Sequence, residues 1–167
     1  MSTFEKHAVV TGASTGIGEA TVVELRKRGW KVTAVARRAD RLAKLAEKTG
    51  CEWQALDLTD ETAVNEFAKT LGATPVTAIV NNAGGALGVD TVASAINDKW
   101  LEMYNRNVMT ALNMTKAFLP QLEETKGSVV FLTSTAAHDT YPGGAGYVAA
   151  KHAERIIANT LRLELAG

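Results

Sequence analysis

The sequence predicts an α/β fold, a doubly wound parallel sheet covered on both faces by helices, and three observations carry that prediction. Short apolar, β-branched runs alternate along the chain with longer stretches of helical period. The runs are nearly continuous in apolar residues, the pattern of parallel strands buried on both faces. A glycine-rich turn joins the first run to the first helical stretch. Right-handed crossovers between such units then wind the sheet in both directions from its centre.

Taken in order, the first strand is His7–Thr11, followed by glycines and a helix over 16–28 that Gly29 closes. The second strand is Lys31–Ala36 (KVTAVA), with a helix over 40–48 ending before Gly50. A third strand spans 52–56 and a helix 60–71; the fourth and fifth strands are 77–80 and 128–133. One long amphipathic helix is expected between these last two, with Trp100, Leu101, Tyr104, Val108, Leu112 and Leu119 near its apolar face. A last helix covers 147–165. The pattern is that of a Rossmann-type three-layer αβα sandwich, whose full strand order 3-2-1-4-5-6 needs six strands. Five are legible, so residues 1–167 are read as a single dinucleotide-binding domain that is incomplete at its C-terminal side.

A length of 167 residues matches one domain of ordinary size. The 46% hydrophobic and 22% charged fractions are those of a globule with a core, which excludes a disordered chain. Eighteen Lys+Arg balance eighteen Asp+Glu; nucleic-acid binders more often carry a basic excess, and no nucleic-acid partner is expected. The lone Cys51 precludes an intrachain disulfide and fits a reducing cytosol. The lack of a long apolar run and of a basic-then-apolar leader points away from a membrane and toward the cytoplasm.

Between the first strand and helix, the glycines fall at 12, 16 and 18. Gly12 lets the chain turn sharply off the strand, Gly16 lets backbone approach a pyrophosphate, and Gly18 lets helix and sheet pack closely. The helix N-terminus offers unpaired N–H groups to the anion. A merely structural glycine turn is the plainer alternative. The end of the second strand discriminates between dinucleotides: a carboxylate there holds a ribose 2′-hydroxyl, an arginine a 2′-phosphate. Arg37 and Arg38 occupy those positions, favouring NADP over NAD. Asp57-Leu58 ends the third strand, where the carboxylate could accept from the adenine amino group or simply start a helix. Asn82-Ala83-Gly84 follows the fourth strand, small enough for backbone to lie against a flat ligand or form an ordinary turn.

Tyr147 and Lys151 stand four apart at a helix start, so both side chains reach one face. A phenol with a pKa of about 10 is a poor base at neutral pH. A nearby ammonium favours the phenolate and brings it toward the operating range. Ser134 lies just past the fifth strand, at the carboxyl end where open α/β sheets bind ligands. Its hydroxyl could hold a substrate oxygen beside Tyr147.

The set T-G-x-x-x-G-x-G (residues 11–18), N-N-A-G (81–84), Ser134 and Y-x-x-x-K (147–151) resembles the short-chain dehydrogenase/reductase family over the whole chain, in order. The resemblance implies that Tyr147 is the general acid/base and that Lys151 lowers its pKa and binds the nicotinamide ribose. It implies that Ser134 positions the reacting oxygen and that Asn107 anchors a proton-relay water, although Thr110 stands where the family commonly has glycine. For the cofactor it selects Gly12, Ser14, Thr15, Gly16, Ile17, Gly18, Arg37, Arg38, Asp57, Leu58, Asn82, Ala83 and Gly84, together with Tyr147 and Lys151. The Arg37-Arg38 pair, with the Gly84-Gly85-Ala86-Leu87-Gly88 continuation, looks most like NADP-dependent members that oxidise 3-hydroxy acids or serine-like alcohols. The resemblance also implies that the family's C-terminal segment is lacking and that the long helix and the Tyr147 helix pair in a homo-oligomer.

The expected function is therefore an NADP-dependent oxidoreductase moving hydride between nicotinamide and a secondary alcohol or carbonyl substrate. The alternative is a truncated, non-catalytic dinucleotide-binding fragment. His7, His138 and His152 lack metal-ligand spacing, and no metal is expected. Trp30, Trp53 and Trp100 are read as packing residues, Cys51 as an inert buried thiol.

Overall fold

The computed structural model describes residues 4–166. Its five strands are β1 (His7–Thr11), β2 (Lys31–Ala36), β3 (Glu52–Ala55), β4 (Ala78–Asn81) and β5 (Ser128–Phe131). They form one sheet of order β3-β2-β1-β4-β5, with every pairing parallel. The helices are α1 (Gly16–Lys27), α2 (Ala39–Thr49), α3 (Glu61–Thr70), α4 (Asn97–Tyr104), α5 (Thr110–Thr125) and α6 (Ala145–Glu164). Outside the segment between β4 and β5 the strands and α-helices agree with the sequence prediction, and their boundaries move by only one or two residues.

Strand alternation divides the core. Val10, Val32, Ala34 and Ala36 meet α1 and α2 through Val22, Leu42 and Leu45. Val9, Val35 and Ile79 face the other way onto Val64 and Phe67 of α3 and Met114 and Phe118 of α5. Phe67 and Phe118 pack edge to face, ring centroids 5.7 Å apart. Each layer therefore covers one face of the central strands.

The edges are different. β3 is exposed through Glu52, Trp53 and Gln54, and Ser128 and Val130 of β5 are exposed. Trp53 is not the packing residue expected: it lies on the edge strand β3 and is 40% exposed. Trp30 and Trp100 are half-buried, and Cys51 is a buried free thiol.

The predicted long helix is two α-helices joined by a π turn, Asn105–Met109, in which the Thr110 N–H donates to the Asn105 carbonyl. Its buried stripe is Met103, Asn107, Ala111, Met114, Phe118 and Leu122. Of the expected stripe only Val108 is buried; Trp100, Leu112 and Leu119 are half-buried, and Leu101 and Tyr104 are exposed. The segment carries two apolar faces, and the one holding Met114 and Phe118 packs on the sheet. The other has no covering layer among the described residues.

The order reverses at β1, which pairs with β2 on one side and β4 on the other. The crevice outside the carboxyl ends of β1 and β4 is where such sheets take ligands.

Candidate active site

A cleft of about 780 Å³ opens at that crevice. Its floor is the glycine turn. Gly12 has φ +63°, and a Cβ there would lie 2.9 Å from the Ala83 Cα and 2.8 Å from Asn82 Nδ2. A Cβ on Gly18 would lie 2.5 Å from the Gly12 carbonyl oxygen. Gly16, with φ +60°, has open space above it. Two glycines are thus required by close packing and the third by its backbone conformation.

Thr11 and Asn82 lock this turn to the end of β4. Thr11 Oγ1 accepts from the N–H groups of Asn82 and Ala83, both at 2.9 Å, and Asn82 Nδ2 donates to the Thr11 carbonyl at 2.8 Å. Asn82 lines the cleft while its side chain is committed to holding the turn. Thr15 caps α1 with its backbone and makes no side-chain cap bond, which leaves first-turn N–H groups open to an anion.

Arg38 is the N-cap residue of α2, and its guanidinium donates to Ser14 Oγ at 2.8 Å and Thr15 Oγ1 at 3.1 Å. Arg37 lines the same rim. Two hydroxyls and two guanidiniums at one end of the cleft could hold a phosphate dianion. Asp57 is exposed, and its Oδ1 accepts from the Thr59 N–H at 3.0 Å and hydroxyl at 2.8 Å. Those bonds, with a smaller attraction from Arg37, hold its carboxyl below the usual range. Leu58 contributes to the cleft wall, with its side chain in the core and its carbonyl accepting from Asn113.

The cleft is lined as far as Ala83 and Gly84, and the second group of residues stands beside Gly84. A Cβ on Gly84 would collide with Asn107 Oδ1 and lie 3.6 Å from Lys151 Nζ. Asn107 is fully buried in the π turn; its Oδ1 accepts from the Gly85 N–H at 2.9 Å, and its Nδ2 donates to the carbonyls of Gly85 at 3.0 Å and Met103 at 2.8 Å. The turn thus aims an amide at the loop after β4, as π turns often do at functional sites. Thr110, at the next helix start, donates to the Arg106 carbonyl at 2.8 Å, so its hydroxyl is absorbed by the turn rather than disturbing it.

Tyr147 is half-buried in the first turn of α6, and Lys151 Nζ lies 5.9 Å from its ring centroid. Lys151 is buried and donates to the Leu132 carbonyl at 3.2 Å and to Glu154 Oε2 at 2.6 Å. Ser134 caps a 3-10 turn, Thr135–Ala137, and its Oγ accepts from the Ala136 N–H at 3.1 Å. That turn packs on α6, bringing Ser134 to the Tyr147 side of the molecule.

The structure thus gathers Gly84, Asn107 and Lys151 at one point. It lays Gly12, Ser14, Thr15, Ile17, Arg37, Arg38, Asp57, Leu58, Asn82 and Ala83 along the adjoining cleft. Gly16 and Gly18 shape the turn without lining the cleft. Sequence reasoning passed over Ala36 and Leu56, which strand ends alone would have suggested. It also passed over Arg106, in the π turn, and Thr110, directly after it, which line the cleft.

Fold and cleft define a class: parallel α/β proteins with a glycine-turn crevice at the sheet's switch point. A family model described as short chain dehydrogenase matches residues 6–167, and the chain belongs to that family. It is 48% identical over 168 residues to an uncharacterized oxidoreductase of Mycobacterium tuberculosis, covering 100% of this chain and 66% of the relative. It is 39% identical over 163 residues to a serine 3-dehydrogenase of Agrobacterium fabrum, covering 95% of this chain and 66% of that protein. A solved structure, the closed form of serine dehydrogenase complexed with NADP+, superposes with a TM-score of 0.92 at 33% identity, covering 96% of this chain and 67% of the other. The chain therefore spans about 66% of the length of these curated relatives.

Proposed function

We propose that the chain is an NADP-dependent oxidoreductase acting on a secondary alcohol or the matching carbonyl compound, a small hydroxy acid among the candidates. The carrying observation is the buried Lys151 ammonium, 5.9 Å from the Tyr147 ring and beside Gly84 where the cleft ends. When bound, the nicotinamide supplies the hydride chemistry. Tyr147 gives or takes the hydroxyl proton at its phenolic oxygen, with the ammonium of Lys151 standing beside its ring. Ser134 orients the substrate oxygen, and Asn107 holds the loop carrying Gly84 and Gly85.

Gly12 and the open first turn of α1 take the pyrophosphate. Arg38, Ser14, Thr15 and Arg37 take the 2′-phosphate, Asp57 the adenine side, and Ala83 and Gly84 the flat rings. The serine dehydrogenase complexed with NADP+ supports this cofactor, and the serine 3-dehydrogenase relative supports a hydroxy-acid substrate.

Association of like chains through α4 and α6 belongs to the same reading. Leu101 and Tyr104 on α4 and Ile156 and Leu163 on α6 are exposed apolar side chains of the kind that pair across a two-fold. Among the described residues no helix is long and apolar enough to cross a membrane, and the cytoplasm is the compartment we propose. The test is calorimetric titration with NADP and NAD, followed by NADPH oxidation against small ketones and keto acids. Tighter NADP binding with turnover supports the proposal. Binding without turnover on any substrate favours the non-catalytic reading, and no binding removes both.

A further inference from the structure

Tyr147, Lys151 and Glu154 follow one another along a single face of α6, at spacings of four and three. Lys151 and Glu154 form a salt bridge of 2.6 Å with side chains 5% and 0% exposed. The other ion pairs of the described residues are far more open to solvent. A buried carboxylate is costly unless it is paired, so its place beside this lysine calls for a reason. Glu154 Oε1 has no hydrogen-bond partner among the described residues, so the carboxylate's one polar interaction is with Lys151. Burial raises the Glu154 carboxyl above its usual range, and the lysine opposes that rise.

We propose that Glu154 is a positioning residue that acts through Lys151, holding the ammonium and sharing its charge so that Tyr147 feels a partly neutralised cation. The inference rests on the reading of Tyr147 as the proton-transferring group. Its electrostatics are local. The elements packed against α6 are α4, the π turn, the 3-10 turn after Ser134 and β5. They carry Asp98, Lys99, Glu102 and Tyr104 on α4 and Arg106 in the π turn, with none on the 3-10 turn or β5. His138, just past the 3-10 turn, contacts the guanidinium of Arg155, on α6 beside Glu154. On α6 itself stand Tyr147, His152, Arg155, Arg162 and Glu164. Of all these charged and titratable neighbours, Lys151 is the one whose side chain contacts the Glu154 carboxylate among the described residues.

With the carboxylate present, the phenol meets the dipole of an ion pair; with it neutralised, the phenol meets a full cation, which favours phenolate more strongly. The test is the alkaline titration of tyrosinate absorbance in the cofactor-free chain, with the Tyr147→Phe variant subtracted so that Tyr104 and Tyr141 cancel. Glu154→Gln keeps the size and an acceptor for Lys151, and is expected to lower the Tyr147 midpoint by about one pH unit. Glu154→Asp retracts the charge by one methylene and is expected to give a smaller shift in the same direction; it carries the test if the glutamine variant does not fold. A midpoint that stays in place or rises in the folded variant overturns the proposal. The two readings separate cleanly, because undiminished turnover in Tyr147→Phe removes the role of the phenol without touching the measured coupling.

Discussion

The glycine turn of the cleft and the α6 cluster beside it are built on opposite principles. Around Gly12 and Gly18 the close contacts are backbone to backbone or backbone to a short side chain: Gly12 and Gly18 leave no room for a Cβ, and Thr11 and Asn82 tie the turn to β4. At α6 the contacts are between charges withdrawn from water, with Lys151 and Glu154 almost fully buried beside a half-buried phenol. The turn at Gly12 and Gly18 is a steric device and the α6 cluster an electrostatic one. Substitutions should therefore fail differently at each, by volume at the turn and by charge and pH at the helix.

The sharpest contrast comes from Lys151→Met. It strands the Glu154 carboxylate in a buried site and is expected to cost about 3–5 kcal/mol in urea unfolding. A lone buried carboxyl is raised in the folded state, so its stabilising form is the protonated one, present below the unfolded-state value and lost as pH rises. The penalty should therefore grow from acid toward neutral pH. Adding Glu154→Leu should recover most of the stability and none of the turnover. A double variant no more stable than the single one would break the electrostatic side of the comparison.

Smaller effects belong to the turn. Gly18→Ala places a Cβ 2.5 Å from the Gly12 carbonyl oxygen and should cost roughly 3 kcal/mol. Gly16→Ala has open space and only its φ of +60° to contend with, for about 1 kcal/mol. Equal losses by thermal unfolding would contradict the steric reading. Arg38→Ala should weaken NADP binding by about tenfold to a hundredfold in calorimetry, from the loss of charge-assisted hydrogen bonds, while NAD binding changes little.

The smallest effect lies away from the cleft. His7 is buried, bonded to the Thr74 carbonyl and Thr33 hydroxyl, and burial lowers its pKa from the ordinary 6.5, with Lys31 adding to the effect. The unfolded chain then binds the proton more readily. The histidine's contribution is fully present above 6.5 and lost as pH falls toward the folded value. His7→Gln should flatten the pH dependence of stability in that window.

The strands, the glycine turn and the Tyr147–Lys151 pair were legible in the sequence because each depends on local spacing. The Arg38 bonds to Ser14 and Thr15 were half-legible: strand-end position suggested a phosphate site, and the fold supplied the contact. The π turn was not legible, since an N–H reaching five residues back leaves no compositional mark. Nor could the sequence decide which apolar face of the 97–125 segment meets the sheet, because both carry large side chains and only tertiary packing chooses Met114 and Phe118 over Leu101 and Tyr104. Glu154 was passed over because its pairing requires burial, which spacing alone does not reveal.

The central claim is that proton transfer at Tyr147 is separable from cofactor binding in the cleft. The direct measurement is NADP affinity and NADPH-dependent carbonyl reduction in the same preparations of the wild-type chain and Tyr147→Phe. Near-equal affinity is expected, with a rate lower by about two to four orders of magnitude, the contribution of a positioned general acid. Wild-type turnover in Tyr147→Phe would contradict it.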